Sequence, residues 1–304
     1  MPWLQLKARI APEQTELLEE LLLAEGATAI TFQDAHDDPV FEPERGTTPL
    51  WEETVLTGLY DDLEGLPDML ERLAAAWAES APEDSCPVIE HELLDDRDWE
   101  REWMQDFTPL QMGERLWIVP TWHEPPNPEA VNLRLDPGLA FGTGTHATTA
   151  LCLSWLDTLA VAGNLDGVDV LDIGCGSGIL AIAALKLGAN RAIGTDIDPQ
   201  ALSASRDNAE RNDITEHRLQ LCYPEQLAAK QDFPLVIANI LAGPLIELAS
   251  EIASRVAPGG RIALSGILEN QADDVFSTYQ EHGLIMDEPE VHEGWVRLTG
   301  HRPA

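Results

Sequence analysis

Lysine is nearly missing from this chain: it stands only at Lys7, Lys186 and Lys230 in 304 residues. Basic residues number 18 against 54 acidic ones, a formal net charge of −36. A surface of that sign repels phosphates, which argues against direct DNA or RNA binding and favours basic partners. Acidity spread along the whole chain also fits a protein adapted to a salty solution. Cysteine is scarce too. Cys86, Cys152, Cys175 and Cys222 lie too far apart for a disulfide framework or a zinc knuckle, so no metal site is expected. No run of about 20 apolar residues is present, so no membrane-crossing helix is expected. Met1-Pro2-Trp3 opens straight into strand-like alternation rather than a charged and apolar leader. The expectation is a protein of the reducing cytoplasm.

What the chain does have is concentrated in residues 168 to 198. Val168 to Ile173 is a short apolar run of the kind a strand buried on both faces shows. Gly174, Gly176 and Gly178 follow, then an apolar helix from Ile179 to Leu187 closed by Gly188 and Ala189. Arg191 to Thr195 makes a second strand that ends on Asp196. Strand, glycine turn, helix, strand and carboxylate form one half of a nucleotide-binding, doubly wound sheet. Glycines let the chain turn tightly and let a ligand reach main-chain N–H groups. Asp196, 18 residues beyond Gly178, is placed to accept hydrogen bonds from ribose hydroxyls. A dinucleotide fingerprint needs its third glycine one place later, where Ile179 stands, which opposes a nicotinamide oxidoreductase. The Gly-x-Gly-x-Gly spacing with Asp172 before it instead resembles the first motif of class I S-adenosylmethionine-dependent methyltransferases.

Upstream, Trp3 to Ile10 alternates with period two, and a helix opened by Pro12 carries Leu17, Leu18, Leu21 and Leu22 before Gly26. Strands at 28–32 and 53–60, a helix at 67–78 and a strand at 88–93 complete a strand–helix–strand–strand–helix–strand series. That is the split pattern of a ferredoxin-like domain. It holds no cluster of nucleophile, base and acid. Trp99 and Trp103 share one face of an expected amphipathic helix between 95 and 107. The domains expected are 1–95 for substrate recognition, a linker helix at 96–106 and a catalytic domain at 107–304.

Between linker and sheet, Asp136-Pro137-Gly138 is turn chemistry. Residues 139 to 145 then lead into a helix from Ala147 to Ala160, with Thr145 as the expected N-cap and His146 in a structural role beside it. Beyond Asp196, helices are expected at 199–212 and 245–256, and strands at 218–222, 235–238 and 261–265. A helix at 269–282 and two closing strands near Ile285 and Trp295 follow. Asn208 and Asn212 fall four apart on the first helix. Asn239 ends a strand at the sheet edge where open α/β folds bind ligands. Ile240-Leu241 follows it where some N-methyltransferases carry two prolines and an aromatic, which suits an alkyl amine better than a planar amide or base.

Taken together, Leu-Asp-Pro-Gly-Leu-Ala-Phe-Gly-Thr-Gly-Thr-His at 135–146, the glycine motif and Ala-Asn-Ile-Leu-Ala-Gly-Pro-Leu at 238–245 resemble the bacterial PrmA family. Thr28 to Asp34, Pro39 to Pro43 and Asp98 to Met104 extend the likeness nearly end to end. These are methyltransferases of the large-subunit ribosomal protein L11. The resemblance implies a Rossmann-like class I methyltransferase sheet with a small α+β ferredoxin-like N-terminal domain. It implies S-adenosylmethionine as cofactor and the N-terminal α-amine and lysine ε-amines of L11 as acceptors. It also implies Thr145, Gly174, Asp196 and Asn239 as cofactor contacts. Gly176 follows from the loop itself, and Phe141 and Gly142 are further candidates by the same resemblance. No general base is assigned. The alternative readings are a small-molecule amine methyltransferase of the same fold, which leaves the N-terminal domain without a task, and a non-catalytic cofactor-binding protein.

Overall fold

The computed structural model describes residues 3–36, 51, 53–61, 65–94, 107–136, 146–228 and 231–304. The chain divides into two compact units, Met1–Trp103 and Met104–Ala304.

In the first unit, β1 (Trp3–Ile10) buries every second residue: Leu4, Leu6, Ala8 and Ile10 point inward. A single 3₁₀ turn at Pro12–Gln14 leads into α1 (Thr15–Ala24), which presents Leu18 and Leu22 to those residues. Strands β2 (Ala29–Asp34) and β3 (Thr54–Tyr60) pair antiparallel. Helix α2 (Leu66–Ser80) buries Met69, Leu73 and Trp77, spaced by four along one face, and β4 (Ile89–Leu94) closes the sheet. The strand order β2-β3-β1-β4 is the ferredoxin-like arrangement expected from the pattern. The anticipated linker helix and its two tryptophans lie outside the described residues, as do residues 37–50.

The second unit opens with a small sheet of β5 (Leu110–Met112), β6 (Leu116–Val119) and β7 (Val131–Arg134). The main sheet is built from β8 (Asp169–Ile173), β9 (Arg191–Thr195), β10 (Leu219–Cys222), β11 (Phe233–Asn239), β12 (Val256–Leu268), β13 (Ile285–Met286), β14 (Glu290–His292) and β15 (Trp295–His301). Its order is β10-β9-β8-β11-β12-β15-β13, parallel through β12, with β15 antiparallel and inserted beside it and β14 on the flank. The helices α3 (Ala147–Val161), α4 (Ile179–Leu187), α5 (Pro199–Arg211), α6 (Ala242–Glu247), α7 (Ala249–Ser254) and α8 (Ala272–Glu281) form two layers. On β11, Leu235 and Ile237 face the layer of α3 and α4, while Val236 and Ala238 face α6, α7 and α8. Burial on both faces is why these strands read as continuous apolar runs.

Two expectations are corrected. The helix anticipated over 245–256 is two short helices, α6 and α7, separated at Leu248 (φ −96°, ψ 5°). It cannot reach Val256, because Val256 is already a strand residue paired with Phe233. The N-cap of α3 is His146, not Thr145: His146 has extended backbone (φ −72°, ψ 138°), and its Nδ1 accepts the Thr148 N–H at 3.3 Å. The imidazole supplies the acceptor that a threonine hydroxyl one position earlier would have supplied.

Candidate functional site

The C-terminal ends of β8, β9, β11 and β12 carry the groups the motifs singled out. All three loop glycines adopt left-handed backbone, with φ of 69° at Gly174, 54° at Gly176 and 77° at Gly178. The loop is fastened to the next strand, as Gly174 N–H and Cys175 N–H both donate to Thr195 O at 2.8 and 3.0 Å. A Cβ at Gly174 would lie 2.3 Å from the Ile240 side chain, and one at Gly178 would lie 2.8 Å from Ser205 Oγ. From α5, Ser205 Oγ donates to Gly176 O at 2.8 Å and Asn208 Nδ2 to Ser177 O at 2.9 Å. Asn212 joins α5 to β7 by exchanging hydrogen bonds with the Arg134 backbone. Of the asparagine pair picked out by spacing, Asn208 therefore braces the loop and Asn212 ties the end of α5 to β7.

Asp196 turns back toward that loop. Its Oδ2 accepts the Gly176 N–H at 2.9 Å and its Oδ1 the Asp198 N–H at 3.0 Å. Each oxygen keeps a lone pair for a hydroxyl. Ile197 beside it is 81 % exposed, a large apolar side chain at a strand exit that was missed because isolated exposed residues are common.

Asp172 is almost fully buried at the end of β8. Its Oδ2 accepts the Ala181 N–H at 3.1 Å, in the first turn of α4, and its Oδ1 has no hydrogen-bond partner among the described residues. Burial, reinforced by the nearby Asp196 charge and opposed by the Ala181 N–H, lifts its carboxyl to about 7. A carboxyl at that N-terminus stands where a dinucleotide site would receive pyrophosphate, so the geometry reinforces the objection raised by Ile179.

Asn239 closes β11, level with Ser265 on β12. Its Nδ2 donates to Thr149 Oγ1 on α3 at 3.5 Å, and its buried Oδ1 has no partner among the described residues. The following residue is held from two sides: besides Gly174, a Cβ at Gly266 (φ 87°) would lie 2.3 Å from Ile240 O. Nearby, the His146 ring meets Trp295 edge-on, with centroids 4.8 Å apart at 68°. Burial lowers the His146 pKa against the opposing pull of Glu293, which suits a neutral ring accepting at Nδ1.

The structure thus brings Gly174, Gly176, Asp196 and Asn239 to one edge of the sheet. Thr145, Phe141 and Gly142 lie outside the described residues. Thr149 and Gly266 were not anticipated, since neither carries a distinctive residue type or spacing, and Ile240 stands out in the sequence only as a replacement for proline. Among the described residues no group of histidine, cysteine and acidic side chains could hold a metal ion.

A seven-strand path with an antiparallel strand beside the last parallel one, a glycine loop after the central strand and an acid on its neighbour define a class I methyltransferase fold. The model of the family "Ribosomal protein L11 methyltransferase (PrmA)" matches residues 2–303, and the chain belongs to that family. It is 67 % identical over 304 residues to the ribosomal protein L11 methyltransferase of Chromohalobacter salexigens, covering all of both chains. The enzyme of the same name from Pseudomonas aeruginosa PAO1 is 53 % identical over 304 residues, again covering both chains fully. A crystal structure of ribosomal protein L11 methylase from Lactobacillus delbrueckii subsp. bulgaricus is 32 % identical with a TM-score of 0.55. That match covers 65 % of this chain and 100 % of the other. The protein is accordingly a methyltransferase.

Proposed function

We propose that this enzyme methylates amine nitrogens of ribosomal protein L11, the N-terminal α-amine and lysine ε-amines, using S-adenosylmethionine. The observation that carries the chemistry is the buried Asn239 Oδ1, an acceptor with no partner among the described residues at the sheet edge beside the glycine loop. The cofactor, when bound, supplies a methyl group already activated on a sulfonium. Gly174 and Gly176 shape the loop that would line it, the free lone pairs of Asp196 suit ribose hydroxyls, and Asn239 would face both cofactor and acceptor. Thr145 joins them by family likeness. Two buried carboxamide and carboxylate oxygens without partners, at Asn239 and Asp172, fit a ligand rich in N–H donors and positive charge.

An amine attacks through its lone pair, so its N–H groups must be held elsewhere. Asn239 Oδ1 accepts one of them and turns the lone pair toward the methyl, and orientation of this kind carries much of the rate. An ammonium has no lone pair, and its proton leaves to solvent before attack; no side chain is needed as base. The unit formed by residues 1–95 recognises the ribosomal protein, residues 96–106 link, and 107–304 catalyse. A net charge of −36 attracts a basic substrate in the cytoplasm. The test incubates the enzyme with radiolabelled S-adenosylmethionine and unmethylated ribosomes, followed by intact-mass analysis of every ribosomal protein. Label on L11 alone in whole methyl increments supports the proposal, whereas cofactor binding without label on any ribosomal protein would redirect it to small amines.

A further inference from the structure

We infer that Ser205 and Asn208, on α5, are positioning residues for cofactor binding: they hold the glycine loop in its receiving shape before the ligand arrives. The inference rests on the reading above that this loop lines the cofactor site. Helix α5 turns a polar face inward. Ser205, Asn208 and Asn212 are only 0, 5 and 4 % exposed, where a helix packed on a sheet ordinarily buries apolar residues. Burying such groups is costly unless each finds a partner.

Two of the three spend their donors on the loop. Ser205 Oγ donates to Gly176 O at 2.8 Å and Asn208 Nδ2 to Ser177 O at 2.9 Å. Consecutive loop carbonyls are thereby drawn toward α5, and a trans peptide points its N–H the opposite way. The loop itself does not fix this arrangement. Gly176 and Gly178 have φ of 54° and 77°, and glycine takes either sign readily, so the peptide joining Ser177 to Gly178 can turn over without strain at Gly178. The Asn208 amide is in turn oriented by Arg211, whose Nη1 donates to its Oδ1 at 2.7 Å and leaves the NH₂ end for Ser177 O. Ser205 has a second tie, its Oγ lying 3.6 Å from Cys175 Sγ. The approach is close, since a Cβ at Gly178 would stand 3.2 Å from the Ser205 Cα. With Asp196 Oδ2 holding the Gly176 N–H, the loop is gripped from both neighbouring elements. The ligand then binds without the cost of ordering it.

The experiment measures the S-adenosylmethionine dissociation constant by calorimetry in Ser205→Ala, Asn208→Ala and Asn212→Ala. Thermal melting, single-turnover methylation of L11 and hydrogen exchange of the ligand-free loop amides accompany it. Ser205→Ala and Asn208→Ala should each weaken cofactor binding about tenfold, the worth of one hydrogen bond, with the loss in affinity rather than in the rate at saturating cofactor. Without ligand, their loop amides at 176–179 should exchange faster than the parent's. Asn212→Ala removes bonds of the same kind from the same helix, made to β7 instead of the loop. It should lower the melting temperature and leave cofactor affinity near parental. If Asn208→Ala fails to fold, Ser205→Ala, which deletes one hydroxyl, carries the comparison. Parental affinity in Ser205→Ala would overturn the inference, as would equal weakening in Asn212→Ala, which would point to helix docking in general. A parent enzyme that binds no cofactor would instead remove the reading of the site, and the role of both residues with it.

Discussion

The turns of the N-terminal unit and the site of the C-terminal unit use glycine for opposite reasons, although the C-terminal unit also has open turns at Gly163, Gly167, Gly259, Gly283 and Gly294. In the N-terminal unit, a Cβ at Gly26 or Gly65 would meet nothing within 4 Å; these glycines serve only the positive φ of turns at 95° and 79°. In the C-terminal unit, Gly174, Gly178, Gly188 and Gly266 each have a neighbour closer than 3 Å to where a Cβ would stand. The same contrast runs through the sheets. The N-terminal sheet alternates buried and exposed along β1, whereas β11 is buried at every position from Leu235 to Ala238. One unit is a helix-backed sheet with tolerant turns. The other is packed on both faces, and its site exists because backbone elements approach closer than side chains allow.

The sharpest way to break this comparison is to remove one side of it. Without residues 1–95, labelling of L11 should vanish while calorimetric cofactor affinity stays nearly intact; loss of both would mean the units do not divide the work. Gly174→Ala should cost about 3 kcal/mol in urea denaturation, the sum of a left-handed backbone penalty and a clash with Ile240. A loss below about 1 kcal/mol would show that Ile240 can step aside. Asp196→Ala should raise the cofactor dissociation constant about 10- to 100-fold, as loss of charge-assisted hydrogen bonds does. Unchanged affinity by titration calorimetry would remove Asp196 from the site.

Asp172 offers a test with a definite sign. Its carboxyl is raised from 3.8 to about 7 in the folded protein, chiefly by burial. Between those values the folded state holds a proton that the unfolded chain has released. Its contribution to stability is therefore complete below about 4, falls as pH rises toward 7 and is level above. Asp172→Asn cannot ionise, so its melting temperature relative to the parent should climb from pH 5 to pH 8; parallel melting curves would contradict the burial argument. The smallest effect belongs to the open turn. Gly26→Ala should cost about 1 kcal/mol from backbone conformation alone and leave methylation untouched.

Much of the architecture is legible in the sequence. The β8–α4–β9 unit, the ferredoxin-like series and Asp196 at its strand tip follow from local periodicity and glycine spacing, which covalent geometry imposes on neighbouring residues. The break at Leu248, the cap at His146 and the strands β5, β7 and β14 did not. The helix cannot run on to Val256 because that residue pairs with Phe233, distant in sequence; the cap turns on the His146 ring meeting Thr148, and the short strands on pairing with β6 and β15, which residue type and periodicity do not signal.

By itself, the sequence determined which residue types could meet a nucleotide and where they lay on their strands. Only the tertiary structure decided that β15 enters between β12 and β13, that Asp172 is buried against the first turn of α4, and that Thr149 reaches Asn239. The reason is physical: a period of 2 or 3.6 residues fixes which face a side chain takes. Which far element covers that face is set by the volume and hydrogen bonds of the whole core, and those belong to no local stretch.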